Sequence, residues 1–210
     1  MAKFVIGLSD YMKIHKIIHA LLLKEGNKKP ETGCTLFASV GAFLLQRHYK
    51  IKARPVAGAF VLCVDSNDLL MYGKLDNGNL VSDNQNFHMW VETETHLIDF
   101  MSPLLQESFA NTTRYSSIAR RMLQKPLMEE KQNVSDCVSR GDFAVFENHR
   151  LTNDIVSKLS DTPLAIDFFS VADKWFGKRS RKQADQITIM DTVLGVSTIR
   201  LPQIDVNQCW

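Results

Sequence analysis

A chain of 210 residues, 45% hydrophobic and 23% charged, is long enough to bury a core of its own and has an ordinary globular composition. Its net charge of +2 supplies no strong field for nucleic acid or an anionic membrane surface. No apolar run approaches the ~20 residues that span a bilayer. The opening MAKFVIGLSDYMKIHK lacks a small-residue cleavage site and does not read as a signal peptide. The four cysteines, Cys34, Cys63, Cys137 and Cys209, form no CxxC pair, so a zinc finger has no support. The expectation is a cytoplasmic protein with reduced thiols and no cofactor.

In chain order, YMKIHKIIHALLLKEG places Met12, Ile14, Ile17, Ile18, Leu21 and Leu22 at helical spacing and ends at Gly26, a C-cap residue. NKKPETG is a loop. CTLFASVGAFLLQRHY, with Thr32 before it as N-cap, is apolar nearly all round and predicts a buried helix. IKARPVAGAFVLCVD predicts a strand and NDLLMYG its hairpin partner, followed by an Asn-Gly turn in LDNGNLVSDNQN. FHMWVETE and THLIDFM predict two short strands joined tightly, ended by Pro103.

Further on, LLQESFAN predicts a short helix, GDFAVFEN a strand, and LTNDIVSKLS a helix opened by Thr152. TPLAIDFFSVADKWFG predicts a helix with Thr162 as N-cap and Pro163 in its first turn. GKRSRKQADQ reads as a solvated basic loop rather than a phosphate or nucleic-acid site, and TVLGVSTIRLPQ as a late strand. The expectation is one domain over 1–210, with a catalytic core at about 27–103, a weak boundary near 110 and a C-terminal extension over about 111–210.

Cysteine chemistry asks for three groups. The thiolate is the nucleophile, and a helix N-terminus favours an anion there. A histidine beside it makes the thiolate–imidazolium pair, and a third group fixes the imidazole. Cys34 opens the buried helix after Gly33. If residues 94 and 95 make the turn, His88 and Asp99 become diagonal neighbours on one face of the hairpin, ~7–8 Å apart and within side-chain reach.

These residues resemble a known family. TGCTLFASVGAFLLQRHYKIKARPVAGAF is similar to the cysteine segment of bacterial transglutaminase-like proteins, and HMWVETETHLIDF to their His-Ala-Trp-Val-Glu strand followed by a strand ending in aspartate. Met89 stands in place of the usual alanine, Phe100 in place of a frequent proline, and no tryptophan precedes Asp99. The resemblance covers roughly residues 30–103. It implies an α+β, papain-like fold in which a buried helix carrying Cys34 packs on an antiparallel sheet carrying His88 and Asp99. It also implies Cys34 as nucleophile, His88 as base and Asp99 as orienting carboxylate. For the oxyanion, the Cys34 N–H is one expected donor, with Asn27 as second and Asn86 or Gln85 as other candidates. Trp90 is expected in the site wall or at the substrate.

The implied activity is a cysteine-dependent hydrolase or acyltransferase acting on a peptide, protein or small amide through a thioacyl intermediate. Two other readings stay open: a non-catalytic binding protein that keeps the fold, and an acyltransferase similar to the arylamine N-acetyltransferases. A lone cysteine such as Cys34 is otherwise most often a buried small hydrophobe. His15 and His19 are four apart, but HKIIH lacks the glutamate of a metalloprotease motif, so no metal is expected. His96 reads as an exposed hairpin residue, and Cys63, Cys137 and Cys209 as core or surface thiols.

Overall fold

A computed structural model describes residues 4–26, 29–66, 68–109, 118–177, 184–190, 195–206 and 208–210. The basic stretch 178–183 and the candidate Asn27 lie outside them. The helical spacing of the first segment becomes α1, Leu8–Lys24, and Gly26 follows it at a φ of 76°, as a left-handed C-cap requires. The buried helix is α2, Cys34–Leu44, continued by a wider turn over Leu45–Tyr49 that Lys50 ends at a φ of 58°. Thr32 does not cap it. The chain makes a 3-10 turn at Pro30–Thr32, Gly33 is the capping residue, and the Thr32 hydroxyl bonds back to the Lys29 carbonyl at 2.8 Å.

The strands among the described residues are β1 to β10 in chain order. The long β1, Ala53–Asp65, pairs antiparallel with β2, Asp68–Tyr72, while β3, Lys74–Asp76, and β4, Asn79–Val81, close around Asn77-Gly78. The first half of β1 pairs with β5, His88–Thr93, which pairs with β6, His96–Asp99, which pairs with β7, Leu123–Pro126. Strand β8, Phe143–Glu147, returns from the second half of the chain to pair with β1. A separate hairpin joins β9, Gln186–Met190, and β10, Val196–Arg200. The architecture is α+β, with the Cys34 helix packed on a curled antiparallel sheet.

Alternation along the strands sends side chains to two cores. Met89, Val91 and Ile98 join α1 and α2 on one face. Val56, Phe60, Trp90 and Leu97 pack on the other. The short α3 is Leu105–Ser108. Helix α4 is His149–Ser160 and α5 is Pro163–Phe176. Helix α4 lies against β1, and α5 against α1 and α2.

Asn148, rather than Thr152, opens α4, accepting from the Leu151 N–H at 3.0 Å. Thr152 is drawn inward, where its hydroxyl accepts from the Ala57 N–H at 3.0 Å. Thr162 and Pro163 do begin α5, though the Thr162 hydroxyl bonds to Lys158 rather than to the helix it precedes. Among the described residues no helix is long and apolar enough to cross a membrane.

Candidate active site

The hairpin sets the geometry. Val91 stands opposite Ile98 and Glu92 opposite Leu97, the register expected from a turn at residues 94 and 95. His88, Trp90 and Asp99 therefore share one face. His88 Nε2 lies 3.0 Å from Asp99 Oδ2, with His88 0% and Asp99 1% exposed. The other carboxylate oxygen, Oδ1, accepts from the Met101 N–H at 2.8 Å. Both oxygens of the buried anion are thus hydrogen-bonded, as a buried charge demands.

The imidazole is held by aromatic neighbours. Tyr72 of β2 stacks on it at 4.5 Å and 21°, and Phe60 lies at 5.0 Å. The backbone leaves room for this packing at Gly58, which stands opposite both His88 and Glu147. A Cβ there would overlap the Phe146 carbonyl and come within 2.9 Å of the Trp90 ring.

Burial by itself would lower the His88 pKa. The charge and hydrogen bond of Asp99 outweigh it, and the Cys34 thiol adds to them, so the pKa stands raised and the ring favours the imidazolium. Among the described residues Nδ1 makes no hydrogen bond of ordinary geometry, and it is the ring nitrogen that Asp99 leaves for another group. Cys34, 8% exposed, is the first residue of α2, where the helix dipole favours an anion. By helix geometry its N–H has no intrahelical acceptor and is available to an oxyanion. Charges at Asp99, Cys34 and Glu31 also act on the Tyr72 hydroxyl, which is buried beside Ser108, and burial is the main cause of its raised pKa.

The remaining candidates divide. Trp90 is wholly buried in the second core, where it forms wall rather than substrate surface. Asn86 is exposed and its amide bonds to Asp83 Oδ1, as does the Gln85 N–H, so both serve the loop. Arg54 of β1 bonds to Glu147 at 2.5 and 2.8 Å and to Glu92 at 2.6 Å, stapling β1, β5 and β8. His96 is buried, contrary to the sequence reading, because β7 pairs along the outer edge of β6. Cys63 and Cys137 are buried, Cys209 is exposed, and none is in a disulfide. Burial pushes the Cys137 thiol up to about 11. Among the described residues no three His, Cys, Asp or Glu side chains gather as a metal site.

Sequence reading missed Tyr72 and Tyr11, and weighed His15 only as a metal ligand. The Tyr11 hydroxyl donates to the Asp99 carbonyl, and His15 Nδ1 donates to the Phe100 carbonyl at 2.7 Å. Nothing local in the sequence links α1 to residues more than eighty positions away.

Among proteins of curated function none matches the chain. A solved structure described as "The crystal structure of genomics APC5867" is similar to it, with a TM-score of 0.87 at 27% identity over 100% of this chain and 99% of that one. A family model described as "Protein of unknown function (DUF2026)" matches residues 7–210, and the chain belongs to that family.

Proposed function

We propose that this protein is a cysteine-dependent hydrolase or acyltransferase with a papain-like, transglutaminase-like core, in which Cys34, His88 and Asp99 act on an amide or peptide bond. The observation that carries the reading is the buried His88–Asp99 pair, which commits Nε2 to the carboxylate and leaves Nδ1 for another group, with the Cys34 thiol among the groups that raise the His88 pKa. The order of motifs around the three residues, Cys at a helix start and then His-x-Trp-Val-Glu and Asp on adjacent strands, supports it.

In the proposed reaction the Cys34 thiolate attacks the carbonyl carbon and the C–S bond forms. The oxyanion takes the Cys34 N–H. As the C–N bond breaks, His88 gives its proton to the leaving amine. Water or a second amine then attacks the thioester, His88 takes its proton, and the C–S bond breaks to restore the thiolate beside the imidazolium. A peptide, protein or small amide fits this chemistry, and the step needs no metal.

Incubation with p-nitrophenyl acetate tests it. Intact mass and peptide mapping are expected to show one acetyl group on Cys34, absent in Cys34→Ala, with its release hastened by an added amine if acyl transfer is the natural course. Acetylation at Cys209 alone, or none, would leave a binding protein that keeps the fold.

A further inference from the structure

We infer that Tyr11 and His15 of α1 are positioning residues that aim the Asp99 carboxylate at His88. The inference rests on the proposed role of His88 and deepens it. Asp99 is the last residue of β6, and the chain leaves the sheet immediately after it, so the ladder alone does not fix the peptide groups that follow.

Two side chains one helical turn apart fix them instead. The Tyr11 hydroxyl holds the Asp99 carbonyl, and His15 Nδ1 holds the Phe100 carbonyl at 2.7 Å. The Phe100 carbonyl and the Met101 N–H are opposite ends of one planar peptide group. By holding the oxygen end, His15 points the N–H end at Asp99 Oδ1, 2.8 Å away. The other carboxylate oxygen then meets His88 Nε2 at 3.0 Å. The bonds form one relay, from His15 through a peptide to Asp99 and on to His88, in buried surroundings that strengthen each of them.

The packing around the relay ties it to the cysteine helix. The His15 ring lies on Phe37 of α2 at 5.4 Å and 14°, three residues after Cys34. Phe100 stacks on Tyr11 at 5.1 Å and fills the gap over Gly41 of α2, where a Cβ would overlap its ring. One helix thereby sets both the peptide behind Asp99 and its distance from α2.

His15 acts as a fixed donor. Burial, with the neighbouring charges of His19, Arg120 and Lys16, disfavours its cation and outweighs the Phe100 hydrogen bond, which favours it. Its Nε2 has no hydrogen-bond partner among the described residues. A neutral ring protonated on Nδ1 satisfies the contact to Phe100.

The test is an NMR titration of His88 in the full chain, with folding checked by thermal melts. His15→Phe keeps a ring on Phe37 and loses the donor. His15→Asn restores an N–H near the place of Nδ1. Tyr11→Phe removes one oxygen and is the mildest of the three. In His15→Phe and Tyr11→Phe the His88 pKa is expected to fall by about one unit, a tenfold change in its protonation equilibrium, and His15→Asn is expected to recover most of it. An unchanged or raised His88 pKa in folded Tyr11→Phe and His15→Phe would overturn the positioning role. The titration needs no substrate, so failure of acetylation at Cys34 counts against the enzyme reading alone.

Discussion

Asp99→Ala is expected to lower the unfolding free energy by about 3–5 kcal/mol, the usual cost of stripping one partner from a buried ion pair. Asp99 is 1% exposed and His88 0%. Removing the carboxylate leaves the imidazole without its carboxylate partner and the Met101 N–H with no acceptor. With Asp99 gone, burial, which already opposes the His88 cation, is largely unopposed, and the ring is expected to become neutral near pH 7. Asp99→Asn separates stability from chemistry. Its side-chain oxygen still accepts from Met101, so much of the stability is retained. Its amide N–H faces Nε2, which must then be the bare nitrogen, and the proton is driven onto Nδ1. A ring protonated there cannot take the thiol's proton, and acylation of Cys34 is expected to fall by about 10³–10⁴-fold, as for a triad histidine held in the wrong tautomer. Urea melts and p-nitrophenyl acetate kinetics read the two effects separately. Wild-type acylation in folded Asp99→Asn would contradict the orienting role.

Mild acid is expected to destabilise the fold well before the carboxylates titrate. Burial holds His15 down to about 3, and burial together with the charge of Arg120 holds His19 down to about 4, against an ordinary value of 6.5. Between those values and 6.5 the unfolded chain binds protons that the native state refuses, so stability rises with pH through that window and falls on acidification. His15 alone accounts for about 2 kcal/mol between pH 7.5 and pH 5, from roughly 1.4 kcal/mol per pH unit, and His19 adds in the same direction. His88 acts oppositely. Its raised folded pKa contributes stability that is full below 6.5 and lost as pH rises through the folded value. Maximal stability therefore sits near neutral pH. Denaturant melts at the two pH values check this. In His15→Asn, which does not titrate, the acid loss is expected to shrink by about the His15 share, and an unchanged acid limb would count against it.

The legible parts of the molecule are those with a local cause. The spacing of Ile14, Ile17, Ile18, Leu21 and Leu22 marks one face of α1. Cys34, Ala38, Gly41 and Ala42 mark a helix slim enough to be buried, and the alternation in HMWVET and HLID sets the register that brings Asp99 to His88. The features the sequence hides have a non-local cause. β7 reads LQKP, with no apolar alternation, yet it covers β6 and buries His96. Thr152 looks like a helix cap but is taken by Ala57 across the fold. QITIM follows directly on a polar, basic stretch and becomes β9 by pairing with β10. Tyr72 meets His88 through a strand pairing, and Tyr11 and His15 reach the end of β6 from the first helix. Such tertiary pairings leave no period to read.

The most direct measurement is the alkylation of the four cysteines by iodoacetamide, mapped peptide by peptide in wild type and His88→Ala. Cys209 is exposed, whereas Cys34 is only 8% exposed, so access alone favours Cys209. A thiolate paired with an imidazolium reverses that order. Cys34 is expected to react first near neutral pH and to lose its lead in His88→Ala. Modification of Cys209 ahead of Cys34, at rates that His88→Ala leaves unchanged, would contradict a cysteine nucleophile at this site.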